Sequence, residues 1–113
     1  MWRRGPYYYV SAGPTCCYCS TGSRTDLYVA SSPLGPFRPL GVLVEREQSR
    51  AQQDWVFETA AGEWLWAGNR WGSSPDGTFA HDLQTWLPMT WDDAASPPRP
   101  LALRWVDSFE LRA

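Results

Sequence analysis

The amino-acid sequence predicts an all-β fold, and three observations support that prediction. Short runs rich in aromatic and β-branched residues recur along the chain, as they do in β-strands. Clusters of Gly, Pro and Ser separate these runs and are typical of turns. No stretch keeps apolar residues at the 3.6-residue helical period for three turns, which disfavours helices. Seven or eight short strands at even spacing are typical of a β-sandwich, a β-barrel or part of a β-propeller.

The strands follow one another along the chain without a low-complexity linker. The runs "YYYVSA" and "LYVA" predict the first two strands, and the turn "SSPLGPF" leads into a third, "PLGVLVE". The runs "DWVFE" and "EWLWAG" flank a turn at Ala61 and Gly62, and we expect them to form a hairpin. A further strand is predicted over 86–91, after a long polar loop. The last is predicted over 101–111, where apolar residues alternate after the proline-rich "ASPPRP".

Length and charge exclude several classes of protein. The chain has 113 residues, 43% of them hydrophobic and 19% charged, which suits one ordinary domain with a modest core. Ten arginines are scattered among twelve acidic residues, with a net charge of −2, so no basic face for nucleic acid is expected. No run has the length of a membrane span, and "MWRRGPYYYV" lacks the features of a signal peptide. The cellular location is left open.

Three cysteines lie close together in "TCCYCST", namely Cys16, Cys17 and Cys19. An odd number of cysteines argues against a secreted disulfide framework. Zinc sites usually space their thiolates as two separated pairs, which this cluster lacks. A bridge between the adjacent Cys16 and Cys17 requires strained geometry. We therefore expect reduced thiols packed in a tight loop, with a small zinc protein that uses the three cysteines and His81 as an alternative.

The aromatic content is unusually high, with eight Trp, five Tyr and four Phe. Such rings supply much buried area in a core, and they also stack on the flat apolar faces of ligands. Composition does not separate these two uses. The loop in "AGNRWGSSPDGTFAHDLQTWLPMTW" is the most informative stretch, because it combines polar turn residues and the only histidine with flanking tryptophans.

The order of these motifs resembles the C-terminal part of glycoside hydrolase family 43-type proteins. The resemblance rests on "YYYV", "SPLGPF", "AQQDWVF", "RW" and the "DGTFAHD" loop that leads into "WLP". It implies a five-bladed β-propeller that hydrolyses plant-type glycans, in a branch related to β-1,3-galactanases. On this resemblance the chain is a partial propeller, roughly the last two blades. Residues 1–48 are expected to form one blade and residues 49–113 the last.

The resemblance also implies that the catalytic carboxyl groups are missing. In the family the general acid is a Glu that directly precedes the Tyr-Tyr strand, and the other acidic groups come from earlier blades. None of the twelve acids here matches those positions. Inverting glycosidases need two carboxyl groups, so we expect the chain alone to be inactive. Its implied partners are the missing N-terminal blades and an oligo- or polysaccharide of the β-galactan or arabinan type.

Five residues are predicted to contact the substrate. Gln52 matches a glutamine at the start of the innermost strand of the last blade, and an amide there orients water or a sugar hydroxyl. Strand alternation predicts Asp54 on the same face as Gln52, with Gln53 and Trp55 on the opposite face. The remaining three predicted contacts are Tyr18, His81 and Trp86.

No cofactor is predicted from the sequence. A Ca²⁺ or other ion at the propeller axis, with His81 as its one candidate ligand, is the alternative that the resemblance leaves open. The family's usual Asp before Arg-Trp is Asn69 here, which puts an ion pair with Arg70 in doubt. A second function also stays open, a non-catalytic carbohydrate-binding β module whose exposed aromatic residues bind sugar.

Overall fold

A computed structural model describes residues 1–112 and contains two main antiparallel sheets. The first sheet has four strands in sequential order, and the second has three. A two-stranded ribbon completes the set. The elements in chain order are β1 (Trp2–Arg4), β2 (Tyr7–Ala12), β3 (Thr25–Ala30), β4 (Arg38–Val44), α1 (Arg46–Ser49), β5 (Gln52–Glu58), β6 (Trp64–Asn69), a 3₁₀ turn (Phe79–His81), β7 (Gln84–Met89), β8 (Trp91–Asp92) and β9 (Arg99–Pro100).

The all-β prediction is confirmed, and most predicted strands are present. The hairpin between β5 and β6 forms as expected, and Gly62 adopts the left-handed φ of 80° in its turn. β7 begins at Gln84 rather than at residue 86. β1 was not predicted, since its three residues are too few to show a pattern.

Two predictions about local structure were wrong. The single-turn helix α1 was not expected, and it joins the two sheets. The run 101–111 does not form a strand, although its apolar residues alternate. Only Leu103 pairs with the first sheet, where its N–H donates to the carbonyl of Leu43 at 2.8 Å. Alternating apolar residues form a strand only where the edge of a sheet is available, because each backbone N–H and C=O requires a hydrogen-bond partner.

The core lies between the facing sides of the two sheets. The buried residues of the first sheet include Trp2, Tyr9 and Val29, and those of the second include Trp66 and Leu87. Tyr9 is fully buried and stacks on Trp2 with ring centroids 5.7 Å apart. Such burial of large rings is the main source of stabilisation for a small domain.

A glutamine links the two sheets through their shared core. Gln53 on β5 accepts a hydrogen bond from the indole Nε1 of buried Trp66 at 3.1 Å. Its amide nitrogen donates to the hydroxyl of Ser11 on β2. Both polar ends of the side chain are therefore satisfied, as buried polar groups require.

Two packed antiparallel sheets of this kind are consistent with part of a β-propeller. The first sheet ends at Val44 and the second begins at Gln52, with α1 between them. The assignment of the two sheets to successive blades, divided near residue 48, stays a prediction. Among residues 1–112, no helix is long and apolar enough to cross a membrane.

Candidate functional site

An open cleft of about 760 Å³ lies at the end of the second sheet. This volume is within the range of small-molecule binding sites. Aromatic, amide and carboxylate side chains line the cleft, contributed by the cysteine loop, the ends of β6 and β7, and the long loop between them. The lining residues are Tyr18, Asn69, Trp71, Phe79, Ala80, Asp82 and Gln84.

Three aromatic rings form one wall of the cleft. Tyr18 meets Trp71 edge-on with centroids 4.7 Å apart, and it contacts Phe79 at 5.7 Å. Trp71 and Phe79 are 6.4 Å apart. Tyr18 and Phe79 nevertheless remain largely exposed. Exposed aromatic surface that is not needed for the core is available to stack on a ligand.

The cysteine loop holds Tyr18 in this wall. A turn in which the N–H of Cys19 donates to the carbonyl of Cys16 brings their Cα atoms to 5.5 Å, and the two residues form a disulfide. This separation suits a disulfide, so the expectation of three reduced thiols was wrong. Cys17 is a free, exposed thiol. Tyr18 has a φ of 60°, a left-handed conformation that is uncommon for a residue with a side chain.

Gln52 is tied to the aromatic wall. The indole Nε1 of Trp71 donates to Oε1 of Gln52 at 2.9 Å. Gln52 pairs with Asn69, and Asn69 pairs with Gln84 on the next strand. Directly paired residues project to the same face of a sheet, so these three amides form a row. Asn69 and Gln84 line the cleft, whereas Gln52 is not among the lining residues and lies beside the cleft behind Trp71.

Asp82 closes the long loop that carries Trp71 and Phe79. Its two carboxylate oxygens accept the backbone N–H groups of Gly72 and Ser74, both at 2.9 Å. The loop is further joined where the N–H of Arg70 donates to the carbonyl of Leu83 at 2.9 Å. Asp82 therefore shapes the loop, and it is also one of the residues that line the cleft.

His81 does not line the cleft. Its Nδ1 lies 2.7 Å from Oδ2 of Asp76, and both side chains are exposed. Asp76 also accepts hydrogen bonds from the hydroxyl of Ser74 and the N–H of Thr78. Together with His81, these donors lower the pKa of Asp76 to about 2. The described residues contain no group of three or more His, Cys, Asp or Glu side chains able to hold a metal ion.

The predicted face of Asp54 requires a correction. The pairing of β5 with β6 shifts between Gln53 and Trp55, so that Trp55 pairs with Ala67. This β-bulge inserts Asp54 as an extra residue, and it places Trp55 on the same face as Gln52, not on the opposite face. Asp54 itself is exposed, although partial desolvation raises the pKa of its carboxyl above the ordinary value.

Trp86 lies farther along the same outer face of the second sheet. Its ring meets Phe57 edge-on at 5.6 Å, and its Nε1 lies 3.3 Å from Oε1 of Gln84. Trp86 is 42% exposed and Trp55 is 53% exposed. Trp86 is not among the residues that line the cleft, and its role in stacking on sugar stays a prediction.

Of the residues that line the cleft, only Tyr18 was a predicted contact. Sequence reasoning did not identify the other six as site residues, namely Asn69, Trp71, Phe79, Ala80, Asp82 and Gln84. Asn69 was noted only for its missing charge. The predicted hairpin did not supply this signal, because Asn69 lies opposite Gln52 only through the register shift at Asp54. The position of Phe79 depends on the fold of the long loop, for which no sequence pattern was available.

Comparisons with known proteins show the fold. No protein-family model matches the chain, and no curated protein is significantly similar to it. A family 43 β-1,3-galactosidase, solved with galactodeoxynojirimycin, matches with a TM-score of 0.75 and 18% identity over 97% of this chain and 31% of that chain. An exo-β-1,3-galactanase from Clostridium thermocellum matches with a TM-score of 0.63 and 18% identity, over 79% of this chain and 20% of that chain. The chain spans less than a third of the length of either protein and has the fold of part of a family 43 glycosidase.

Proposed function

We propose that the chain is the C-terminal portion of a glycosidase that hydrolyses O-glycosidic bonds in polysaccharides of the β-galactan or arabinan type. The single observation that carries the proposal is the contact between Gln52 and Trp71, which sets an amide beside an exposed aromatic cleft. The two structural neighbours are by their names a β-1,3-galactosidase and an exo-β-1,3-galactanase, and the first was solved with galactodeoxynojirimycin. We therefore take a galactose-type ring as the ligand of the cleft.

In this proposal Gln52 positions a water molecule or a sugar hydroxyl. A neutral amide is a hydrogen-bonding group and a very poor base. The general acid and its partner carboxylates lie in other parts of the enzyme. General acid catalysis contributes typically 10²–10⁴-fold to a rate, so residues 1–113 alone are expected to bind saccharide without hydrolysing it.

The remaining blades of the propeller are the proposed partner of the outer face of the second sheet. That face exposes Trp55 and Trp86 over buried Leu65 and Ala67. A flat apolar surface of this kind suits packing against another sheet. No metal or cofactor is included in the proposal.

The test compares the short chain with the chain extended by the coding sequence upstream of Met1. Release of reducing sugar from β-1,3-galactan is expected only from the extended protein, and Gln52→Ala is expected to lower its kcat more than it raises its KM, because positioning of water acts chiefly in the transition state. Trp71→Ala, which removes a ring from the wall of the cleft, is expected to weaken the binding of saccharide instead. Hydrolysis by the short chain that is lost in Asp54→Asn or Glu58→Gln would come from this chain and not from a contaminating enzyme. It would contradict the proposal that the catalytic carboxyl groups lie in other parts of the enzyme.

The aromatic cleft favours a second candidate, a non-catalytic carbohydrate-binding module. The exposed rings of Tyr18 and Phe79 in its wall are available to stack on a sugar. A monomeric, cooperatively melting chain whose tryptophan fluorescence responds to saccharide, with no activity in any extended form, would favour this candidate.

A further inference from the structure

Two of the three amides in the row, those of Gln52 and Gln84, have open hydrogen-bond donors. An indole N–H only donates, so the atom of Gln52 that faces Trp71 Nε1 at 2.9 Å is the amide oxygen. The same argument assigns the amide oxygen of Gln84 to Trp86 Nε1 at 3.3 Å. The NH₂ groups of both glutamines are therefore the ends that stay open.

Asn69 completes the row between these two glutamines. It pairs directly with Gln52 on one side and with Gln84 on the other. Within the described part of the chain, its side-chain amide makes no hydrogen bond, and it lines the cleft. A polar group that faces a cleft without a protein partner is available to a ligand, and leaving it unpaired beneath a bound ligand costs free energy.

The charge of the cleft, like its hydrogen-bond donors, restricts which ligands it can bind. Asp82 carries the one formal charge among the described residues that line it. A carboxylate in a partly enclosed site disfavours a second negative charge nearby. The wall of Tyr18, Trp71 and Phe79 is apolar, so the cleft combines an apolar wall, open NH₂ groups and a negative charge.

We infer that Gln52, Asn69 and Gln84 form one recognition row that selects an uncharged pyranose over the corresponding uronic acid. The ring and hydroxyl oxygens of the sugar accept hydrogen bonds from the row. Its apolar face lies against the aromatic wall, and Asp82 repels a sugar carboxylate. This inference rests on the proposed function, which it extends by naming the residues that determine specificity.

The experiment titrates residues 1–113 with methyl β-D-galactopyranoside and with methyl β-D-galactopyranosiduronate. The neutral sugar is expected to bind more tightly. Asn69→Leu and Gln84→Met each remove an amide at similar volume, and each is expected to weaken neutral-sugar binding roughly 3- to 10-fold, the effect of one hydrogen bond. Gln48→Met removes an amide that accepts from the N–H of Trp105 outside the cleft, and it is expected to leave binding unchanged. Asp82→Asn is expected to reduce the difference in affinity between the neutral sugar and the uronate.

A second measurement does not depend on any variant. In ¹⁵N-labelled protein, the side-chain NH₂ resonances of Gln52, Asn69 and Gln84 are expected to shift on addition of the neutral sugar, whereas those of Gln48 stay in place. If the sugar binds in a Trp71-dependent manner while the three resonances and the affinities of the amide variants are unchanged, the recognition row is wrong and the proposed function survives. If neither sugar binds residues 1–113, the recognition row is wrong, and the proposed function fails only if the extended protein also releases no reducing sugar from β-1,3-galactan.

Discussion

The indole of Trp71 donates its N–H to the amide oxygen of Gln52 at 2.9 Å, which joins the long loop to the first residue of β5. The loop alone is stabilised chiefly by its own turns and by Asp82. This contact fixes the aromatic wall against the sheet, so that the wall and the amide row face the same cleft. It is also the contact on which the proposed function depends.

The energy of that contact is testable by a double-mutant cycle. Trp71→Phe removes the donor and keeps the apolar ring, and Gln52→Ala removes the acceptor. Each single change is expected to lower the free energy of unfolding by about 0.5–1.5 kcal/mol, the net value of a typical hydrogen bond. The second change in the pair is expected to cost less than it does alone, because the bond is already lost. Strictly additive effects in denaturant titrations would show that the contact contributes no coupling.

The sequence predicted the strand that carries Gln52 better than it predicted the faces on which the residues of that strand lie. The β5–β6 hairpin followed from the runs "DWVFE" and "EWLWAG" and the Ala61-Gly62 turn, and the family resemblance placed Gln52 at the start of a strand. The face of Trp55 did not follow, because the bulge at Asp54 depends on pairing with β6 rather than on the sequence of β5. A one-residue change of register exchanges the two faces of a strand, and a run of alternating residues does not reveal it.

Loops and chain ends were the least predictable parts for a related reason. The position of Tyr18 depends on the Cys16–Cys19 pair, and odd cysteine counts do not indicate which two residues pair. The run 101–111 has the alternation of a strand, but beyond Leu103 it finds no sheet edge to pair with. These outcomes are set by tertiary contacts, and no local pattern encodes them.

The disulfide predicts a simple pattern of thiol modification. In protein that has not been reduced, iodoacetamide is expected to modify Cys17 alone, because Cys16 and Cys19 are bonded to each other. After reduction under denaturing conditions, all three cysteines are expected to react. Peptide mass spectrometry identifies the modified residues, and Cys17→Ser serves as the control that should remain unmodified before reduction. Modification of Cys16 or Cys19 in the unreduced protein would contradict the pairing.

The hydrogen bonds around Asp76 predict a dependence of the long loop on pH. The pKa of Asp76 is lowered to about 2 in the folded protein, below the ordinary value of about 3.9 that applies in the unfolded chain. Its stabilising contribution is therefore fully present above pH 4 to 5 and is lost as the pH falls towards 2. Asp76→Asn is expected to remove this part of the pH dependence of unfolding.

A matched pair of serine variants tests the cause of this pKa shift. The hydroxyl of Ser74 donates to Asp76 at 2.7 Å and is the largest single cause of the lowered pKa. Ser74→Ala is expected to raise the pKa of Asp76 towards its ordinary value, as followed by carboxyl ¹³C NMR. Ser31→Ala, in the turn that follows β3, is expected to leave it unchanged. An equal response to both changes would refute the assignment of the shift to local hydrogen bonds.

The outer face of the second sheet predicts self-association of residues 1–113. Trp55 and Trp86 lie on that face with Phe57, and both tryptophans are about half exposed. Exposed apolar area of this kind is rarely tolerated by monomeric proteins, and strand edges that lack a neighbour also favour association. We therefore expect concentration-dependent oligomers in size-exclusion chromatography and sedimentation experiments.

Replacing both tryptophans with threonine, which is compatible with a strand, is expected to shift the chain towards the monomer. Leu34→Thr is the matched control, since Leu34 is 94% exposed but lies in an isolated turn, and it should leave the oligomers unchanged. A monodisperse wild-type monomer would instead indicate that this face needs no partner, and it would favour the free-standing carbohydrate-binding module over a portion of a propeller.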